Sequence, residues 1–425
     1  MRSSQGETAP ESAKPFKLTR KIQEEPIPLT RPIATADTVI PLSVRDFEEV
    51  VEGGGETIVS ESGEQPSSER VRADLAVQNT VSYANESFQN YKPKFLGKGG
   101  EHLVMEFEDP KHRDVVYKVN FFKTMPSFLA ATGQGFSMES ALQRMQESVH
   151  QRKADIKKLQ TYFGRDAVPG ERQMIRNVPF SMEIVRAIEP GALKDVRTLP
   201  EELPAVVVVQ KRLDYPEGTM MLKGEYPERR MLELAEERED AEEIYDESHR
   251  LLTGQYDTQE DPASALALVR TIEPDLIPVI DHVESDPLFR QNLQETVKKM
   301  FAFARETEMA LDFAGEGNVA MMPKDGSWQL KLPDAILPSG WSMKDLMQTT
   351  LKLKQDPPLS LSPYEINATL NALNSVKTMN ALAIIAGVED RLKPTQIDQV
   401  PAERWRKSLG AIFTKPKSER GQQAA

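Results

Sequence analysis

The chain has 425 residues, a hydrophobic content of 39% and a formal net charge of −13. This length is enough for two or three domains, or for one two-part domain with tails. The negative charge argues against broad electrostatic binding to nucleic acid or anionic membranes, so neither is expected as a partner.

The chain contains no cysteine. This excludes disulfides, zinc–thiolate sites, iron–sulfur clusters and thiol nucleophiles. The five histidines lack the pair spacing of a structural metal site; they are His102, His112, His150, His249 and His282. No apolar run has the length needed to cross a bilayer, and the first residues lack the apolar core of a signal peptide. We therefore expect a cytoplasmic protein.

Residues 1–80 alternate Pro, Ser, Thr, Glu and Gly with short apolar pieces, and residues 414–425 are polar. Such compositions bury too little apolar surface to fold alone, so both segments are predicted to be disordered. The ordered part is predicted to consist of residues 81–213 and 214–413.

A glycine turn opens the ordered part. Gly97, Gly99 and Gly100 precede an alternating strand at Leu103–Phe107, and a second strand at Asp114–Val119 carries Lys118. Glycines let the backbone approach phosphate oxygens closely, and a lysine on the adjacent strand supplies a positive charge to the same phosphates. The pattern is typical of a phosphate site, although most glycine turns are only turns.

An irregular insertion is predicted for residues 121–140, followed by a helix from Met138 to Tyr162 that Gly164 caps. Further strands are predicted at Val168–Val178, at Ser181–Ala187 and at the apolar run Ala205–Val209. A short strand that is apolar throughout indicates burial on both faces.

Helices dominate the second half of the ordered part. The acidic stretch Leu232–Tyr245 is predicted to be a helix with a solvated face, or else a docking site for a basic partner. The stretch Pro287–Leu311 has one apolar stripe that includes Leu288. The stretch Ala263–Ile280 is more apolar and is expected to pack on the second half of the ordered part. Other helical predictions are Lys344–Lys354, Ser362–Leu373, Ser375–Gly387 and Ala402–Ile412.

The stretch LDFAGEGNVAMMPKDGSWQLKLPDAI gathers two acids and an amide around a small hairpin. Asp312 and Asn318 precede two short strands, Val319–Met322 and Trp328–Leu332, and Asp334 follows them. Carboxylate and amide oxygens suit Mg²⁺, which needs one or two protein ligands together with substrate phosphates.

Taken in order, these segments resemble the protein kinase-like superfamily. The run Gly97–Val104 is similar to the glycine-rich loop GxGxxGxV, with His102 in place of the third glycine. Tyr117-Lys118-Val119 is similar to the VAIK strand, and the order Asp, Asn, hairpin, Asp resembles the catalytic segment. The resemblance implies an α+β fold with two lobes: a small antiparallel-sheet lobe at 81–213, and a mainly helical lobe at 214–413 that contains the acidic helix as an insertion.

The resemblance also implies a nucleotide site for ATP and Mg²⁺. Lys118 would grip the α- and β-phosphates, and an acid of the long helix, Glu147 or Asp155, would hold Lys118. Backbone groups at the strand end after residue 209 would bind adenine. The residues implied to contact the nucleotide are Gly97, Gly99, Gly100, Val104, Lys118, Glu147, Gln210, Lys211 and Leu213.

The implied chemistry is transfer of the γ-phosphate to a hydroxyl. Asn318 and Asp334 would bind the metal, and Asp312 would orient the attacking hydroxyl and accept its proton. The acceptor is undefined; it is a small molecule or a protein.

Several departures separate the chain from regulated protein kinases. No His-Arg precedes Asp312, the Asp312–Asn318 spacing is one residue longer, and Asp334 is followed by Ala335-Ile336 rather than Phe-Gly. The pattern is nearer to atypical and small-molecule kinases such as aminoglycoside phosphotransferases. The alternatives are a nucleotide-binding pseudokinase, other chemistry such as nucleotidyl transfer, and a non-catalytic interaction protein acting through the acidic helix and the N-terminal arm.

Overall fold

The computed structural model describes residues 94–98, 102–106, 115–133, 137–179, 202–226, 230, 234, 239–256, 261–315, 317–335, 343–394 and 397–413. The predictions for 1–80, 414–425, Gly99, Gly100 and Ser181–Ala187 lie outside these residues, as does most of 231–238. Over the described ranges the chain is α+β and mostly helical, with nine α-helices and two small antiparallel sheets. The predicted class is confirmed at that level.

The first sheet has five antiparallel strands in the order β1-β2-β3-β5-β4. They are β1 Lys94–Lys98, β2 His102–Glu106, β3 Val115–Asn120, β4 Glu171–Pro179 and β5 Glu202–Lys211. Strand β5 lies between β3 and β4, and every residue from Leu203 to Gln210 is buried. This confirms the double burial predicted from its apolar run.

Helix α1, Phe121–Ala131, occupies the segment predicted to be irregular, and that prediction is wrong. The Asn120 side chain caps the helix by accepting a hydrogen bond from Lys123 N at 2.9 Å. Ser127 Oγ donates to Pro204 O at 2.6 Å, which fastens the helix to β5. Pro126 inside the helix obscured the pattern, because proline normally disfavours a helix interior.

Helix α2, Met138–Phe163, has nearly the predicted bounds and ends at Gly164, whose φ is 83°. Its buried positions repeat at spacings of three, four and seven residues. They are Ala141, Met145, Arg152, Asp155, Leu159 and Phe163. Two charged residues therefore lie on the buried stripe of this helix.

The second sheet has three antiparallel strands: β6 Met220–Met221, β7 Ala320–Lys324 and β8 Ser327–Lys331. The turn between β7 and β8 is made by Asp325 and Gly326, whose φ values are 50° and 75°. Two positive φ values match the twist of a tight hairpin, so the hairpin predicted from the sequence is confirmed.

Seven further α-helices lie in the described part of the chain. They are α3 Ala241–Thr253, α4 Pro262–Ile272, α5 Ile277–Ser285, α6 Pro287–Thr307, α7 Met343–Lys354, α8 Pro363–Ala386 and α9 Ala402–Phe413. Leu288, which was predicted to lie on the apolar stripe of α6, is 41% exposed.

Helix α8 is continuous where two helices were predicted. Asn374 and Ser375 suggested a break, but both side chains are buried inside the helix. The helix lies in the centre of the helical part and is buried on nearly all sides, so its sequence lacks the apolar period on which the prediction relied.

One apolar core joins the C-terminal end of α2, the β7–β8 hairpin and the helices that follow β6. Its largest fully buried side chains include Phe289, Phe301, Phe303 and Trp405. No helix in the described ranges has the length and apolar content needed to span a bilayer.

Candidate functional site

One face of the five-stranded sheet carries the first group of site residues. The register places Val104 opposite Lys118, Lys118 opposite Val208, and Val208 opposite Gln173. Directly opposed residues of antiparallel strands point to the same face, as do residues two apart on one strand. Lys118 and Val104 therefore share a face, as the nucleotide prediction requires. Gly97 of β1 is paired with Val104.

Gln210 ties this sheet to Asp334. It is buried near the end of β5 and paired with Glu171 of β4. Its side-chain amide donates a hydrogen bond to Pro333 O, the carbonyl directly before Asp334. The prediction gave Gln210 a role through its backbone alone. In the structure its side chain positions the loop that carries Asp334.

Strand β5 ends at Lys211, and Leu213 lies two residues beyond its end. Lys211 pairs with Val115 of β3, whereas β4 begins opposite Gln210. Gln210 is thus paired with β3 on one side and with β4 on the other. The predicted backbone contacts with adenine would therefore have to come from the residues that follow Gln210.

Asp312 lies beside Asp334 because their segments are paired: Asp312 N donates to Ala335 O at 2.8 Å. The Asp312 carboxylate accepts hydrogen bonds from Ala314 N and from Asn318 Nδ2, both at 2.9 Å. A Cβ on Gly315 would lie 2.2 Å from Asn318 Nδ2, so any other residue here would displace the Asn318 amide from its present position.

Burial raises the pKa of the Asp312 carboxyl to about 6, and the negative charge of Asp334 adds to the rise. Hydrogen bonds from the backbone N–H groups of Ala314 and Gly315 and from the Asn318 amide oppose this rise. A carboxyl with such a pKa can take up a proton near neutral pH, which is the property required of a general base.

Residues 215–224, which include β6, support the Asp312 loop through three hydrogen bonds. Tyr215 Oη donates to Gly317 O at 2.6 Å. Leu222 N donates to Val319 O at 2.9 Å, and Gly224 N donates to Phe313 O at 3.0 Å. Backbone and side-chain bonds thus fix the loop at both of its ends.

Three nitrogen groups converge on Asp334. Lys118 Nζ and His102 Nδ1 each lie 3.4 Å from Oδ2, and Arg152 Nη2 donates to Oδ1 at 3.0 Å. Burial alone would raise the pKa of Asp334, but the neighbouring Lys118, His102 and Arg152 outweigh it and hold that pKa far below its usual range. Asp334 is therefore a carboxylate at any physiological pH.

His102 is neutral and has a defined tautomer. Burial lowers the pKa of its imidazole to about 4. Asn120 Oδ1 accepts the cap bond from Lys123, so its Nδ2 faces His102 Nε2 at 3.0 Å. Because Nε2 accepts, the ring proton lies on Nδ1, toward Asp334.

Neither predicted helix acid meets Lys118. Glu147 is exposed and accepts a hydrogen bond from Gln143 at 3.0 Å. Asp155 is buried, but it bonds Gln151 at 2.9 Å and lies 3.5 Å from Lys158 Nζ. For Glu147 the physical reason is helical phase, since this residue lies about 140° around α2 from the buried stripe at Arg152. Lys118 lies against Asp334 instead.

The sequence prediction missed Arg152 and Glu171. Arg152 was identifiable as a charged residue seven positions from both Met145 and Leu159, on the apolar stripe of the helix. Glu171 had no comparable signal, because its role depends on which strand α2 covers.

The acidic segment forms ion pairs within the chain. Glu242 is bound by Arg406 of α9, and Glu247 pairs with Arg250 at 3.0 Å. These internal partners reduce the charge that α3 offers to a basic partner.

The donor set fits a magnesium ion. Across the described ranges, no three His, Cys, Asp or Glu side chains form a group that could hold a metal. Mg²⁺ does not need such a cage, because it takes one or two protein oxygens together with phosphates and water. Asp334 supplies a carboxylate, and since Asn318 Nδ2 bonds Asp312, the Asn318 amide oxygen is the end that can face a cation.

Comparison of the chain with protein-family models, with curated proteins and with solved structures finds no match. The function is therefore inferred from the residues of the site and their geometry.

Proposed function

We propose that the chain is an atypical kinase that transfers the γ-phosphate of ATP to a hydroxyl with Mg²⁺. The contact between Lys118 Nζ and Asp334 Oδ2, 3.4 Å long, carries the proposal. These residues are 216 positions apart. Each was assigned to the same nucleotide site from a separate stretch of sequence, and their meeting in space is what a shared site requires.

The order of the elements supports a two-lobed, kinase-like arrangement. The five-stranded sheet, with α2 between β3 and β4, would form the small lobe, and the helices with the β7–β8 hairpin would form the large one. Gln210 and Lys118 of the sheet both reach the segment at Asp334. The nucleotide would lie where these parts meet.

Asp334 and Asn318 would hold the metal, which neutralises phosphate charge when it is bound. Lys118 would turn from Asp334 to the α- and β-phosphates as a flexible point charge. The backbone of the glycine turn at Gly97 would cover them, with Val104 beside the base.

Asp312 would orient the acceptor hydroxyl and take its proton. Its raised pKa fits a group that gains and loses a proton in each cycle. Asn318 and Ala314 hold the carboxylate in one orientation, which reduces the cost of alignment. The acceptor is a hydroxyl of a small molecule or of a protein segment.

The test is thermal unfolding of the purified chain with ATP and MgCl₂. Wild type should gain stability, by about 2.7 kcal/mol when free nucleotide is one hundred times its Kd. Lys118→Ala and Asp334→Ala should lose the gain because they remove the phosphate and metal contacts. Lys324→Ala is the matched control, since it removes an exposed lysine on the hairpin. It should keep the gain.

No rise in the wild-type midpoint at millimolar ATP would contradict the nucleotide site. A rise that persists in both site variants would show that the nucleotide binds elsewhere.

A further inference from the structure

The resemblance predicts that an acid of α2, Glu147 or Asp155, reaches the site, but the residue of α2 that does so is an arginine. Arg152 is the residue of α2 that reaches Asp334, with Nη2 donating to Oδ1 at 3.0 Å. Its side chain is 8% exposed. A guanidinium stays charged at all relevant pH values, so this position donates hydrogen bonds where a carboxylate would accept them.

Glu171 of β4 fixes the orientation of this arginine. Arg152 Nε donates to Glu171 Oε1 at 3.0 Å, and Nη2 donates to Oε2 at 3.3 Å. Such a two-point pair sets the plane of the guanidinium. Gln173 Nε2 donates to the same Glu171 Oε1 at 3.0 Å, so the carboxylate is held in turn.

Lys118 cannot be the permanent anchor of Asp334. In the proposed function its ammonium turns to the phosphates, and it then leaves Oδ2. Arg152 differs because its Nε and Nη2 are bonded to Glu171, which lies on the sheet and does not take part in the reaction. The bond from Arg152 to Oδ1 can therefore persist when Lys118 moves.

The acceptor capacity of Asp334 allows a metal beside this bond. A carboxylate offers about four lone-pair sites. In the described chain Lys118 and His102 approach Oδ2, and Arg152 donates to Oδ1. Once Lys118 leaves, a cation can bind the carboxylate without displacing Arg152.

We propose that Arg152, oriented by Glu171, is a positioning residue that holds Asp334 in place for the metal. The inference rests on the proposed function for its metal. Its structural part, the hold on Asp334, concerns the unliganded chain and can be tested separately.

The variants separate positioning from stability. Arg152→Met alone leaves Glu171 buried without its partner and can impair folding. In Arg152→Met with Glu171→Leu, the buried ion pair is replaced by apolar side chains, an exchange that is often neutral or stabilising. Arg152→Lys keeps the charge but loses the two-point geometry.

The first measurement is ATP affinity by calorimetry, with MgCl₂ and with EDTA. For the double variant we expect a loss of about 10- to 100-fold with Mg²⁺, the usual effect of removing a partner of a metal ligand. With EDTA its affinity should equal that of wild type, because Lys118 is intact. Lys118→Met should instead lose affinity in both conditions. Arg152→Lys should behave like the double variant.

A double variant that is stably folded and binds Mg²⁺ and ATP as wild type does would overturn the inference, because Arg152 would then be only structural. Equal losses with Mg²⁺ and with EDTA would also overturn it, since they would show a general disturbance of the site.

The second measurement needs no ligand. A crystal structure of the unliganded double variant should show Asp334 in more than one rotamer, with the backbone of residues 311–335 unmoved. A single Asp334 rotamer, as in wild type, would overturn the inference whether or not ATP binds. If wild type binds no ATP, the proposed function fails, and this structure still decides the role of Arg152.

Discussion

Two carboxylates near each other in the site have opposite environments. Asp334 has three nitrogen groups around it and stays ionised, whereas Asp312 is desolvated and its pKa rises to about 6. Pairs of acids whose pKa values are pushed apart by their surroundings are typical of sites that divide charge stabilisation and proton transfer between two residues. This difference supports the proposed roles, in which Asp334 would bind the metal and Asp312 would accept the proton.

The raised pKa of Asp312 predicts a pH-dependent cost to stability. Its folded-state pKa of about 6 exceeds its ordinary value of 3.8, so between those values the folded chain binds more protons than the unfolded chain. Above about pH 6 the ionised Asp312 therefore lowers the free energy of unfolding. This loss disappears as the pH falls from about 6 to about 3.8. Asp312→Asn should be more stable than wild type by about 1–2 kcal/mol near pH 7.5.

Urea unfolding of both proteins at a series of pH values measures this difference. The difference in the free energy of unfolding between Asp312→Asn and wild type should shrink below about pH 6 and nearly vanish near pH 4. A difference that stays constant across this range would contradict the raised pKa. Glu147→Gln, at an exposed helix position, is the control and should show little effect at any pH.

At the scale of elements, a buried ion pair connects the site to α8. Lys377 Nζ lies 2.6 Å from Glu273 Oε1, with the two side chains 1% and 0% exposed. Both also bind the backbone of Glu225: Lys377 donates to its carbonyl, and Glu273 accepts from its N–H at 3.0 Å. Through Gly224 this segment reaches Phe313, so the pair helps to hold the Asp312 loop.

Removing one partner of this pair should be costly. Lys377→Met leaves Glu273 buried without its cation, and we expect a loss of about 3–5 kcal/mol in the free energy of unfolding. Adding Glu273→Gln removes the charge, keeps an acceptor for Glu225 N, and should restore at least half of the loss.

Lys352→Met breaks the more exposed pair with Glu365 and is the matched control. It should cost about 1 kcal/mol or less. Equal losses for Lys377→Met and Lys352→Met in denaturant titrations would contradict the structural role given to the buried pair.

The elements that have strong local signals in the sequence were predicted correctly. The Asp325-Gly326 turn forms the predicted hairpin because its two positive φ values are encoded by those residue types. Helix α1 and the continuity of α8 were missed for different reasons. The first is capped by a single side chain and contains Pro126, and the second is buried on nearly all sides and so lacks an amphipathic period.

At the scale of the whole molecule, the candidate site draws on distant parts of the chain. Lys118 comes from the sheet, Arg152 from α2, and Asp312 and Asp334 from the two sides of the β7–β8 hairpin. Backbone pairing between distant segments brings these residues together. Leu332, two residues before Asp334, donates its N–H to Ala167 O at 2.8 Å. The site therefore exists only in the folded arrangement of both sheets.

The order of residue types in the sequence suggested Lys118, Asp312, Asn318 and Asp334 as site residues, and the structure brings these four near one another. The sequence was insufficient to predict the contacts among them. The partner of Lys118 was expected on α2, yet α2 offers Arg152, and the carboxylate lies after the hairpin. Helical phase and strand order decide such contacts, and both depend on packing between elements that are far apart in the chain.

The most direct test of the proposed function is the fate of ATP, followed by ³¹P NMR in the presence of MgCl₂. Water or a hydroxyl of the chain itself can act as a slow acceptor when no other is supplied. Wild type should convert ATP to ADP, with the γ-phosphate appearing as inorganic phosphate or on the protein. Asp312→Asn should bind ATP equally well and convert it at least a hundredfold more slowly, about the loss expected for a removed general base. If wild type binds ATP but leaves it as intact as Asp312→Asn does, the transfer reaction is wrong and the chain is a nucleotide-binding protein without phosphotransferase activity.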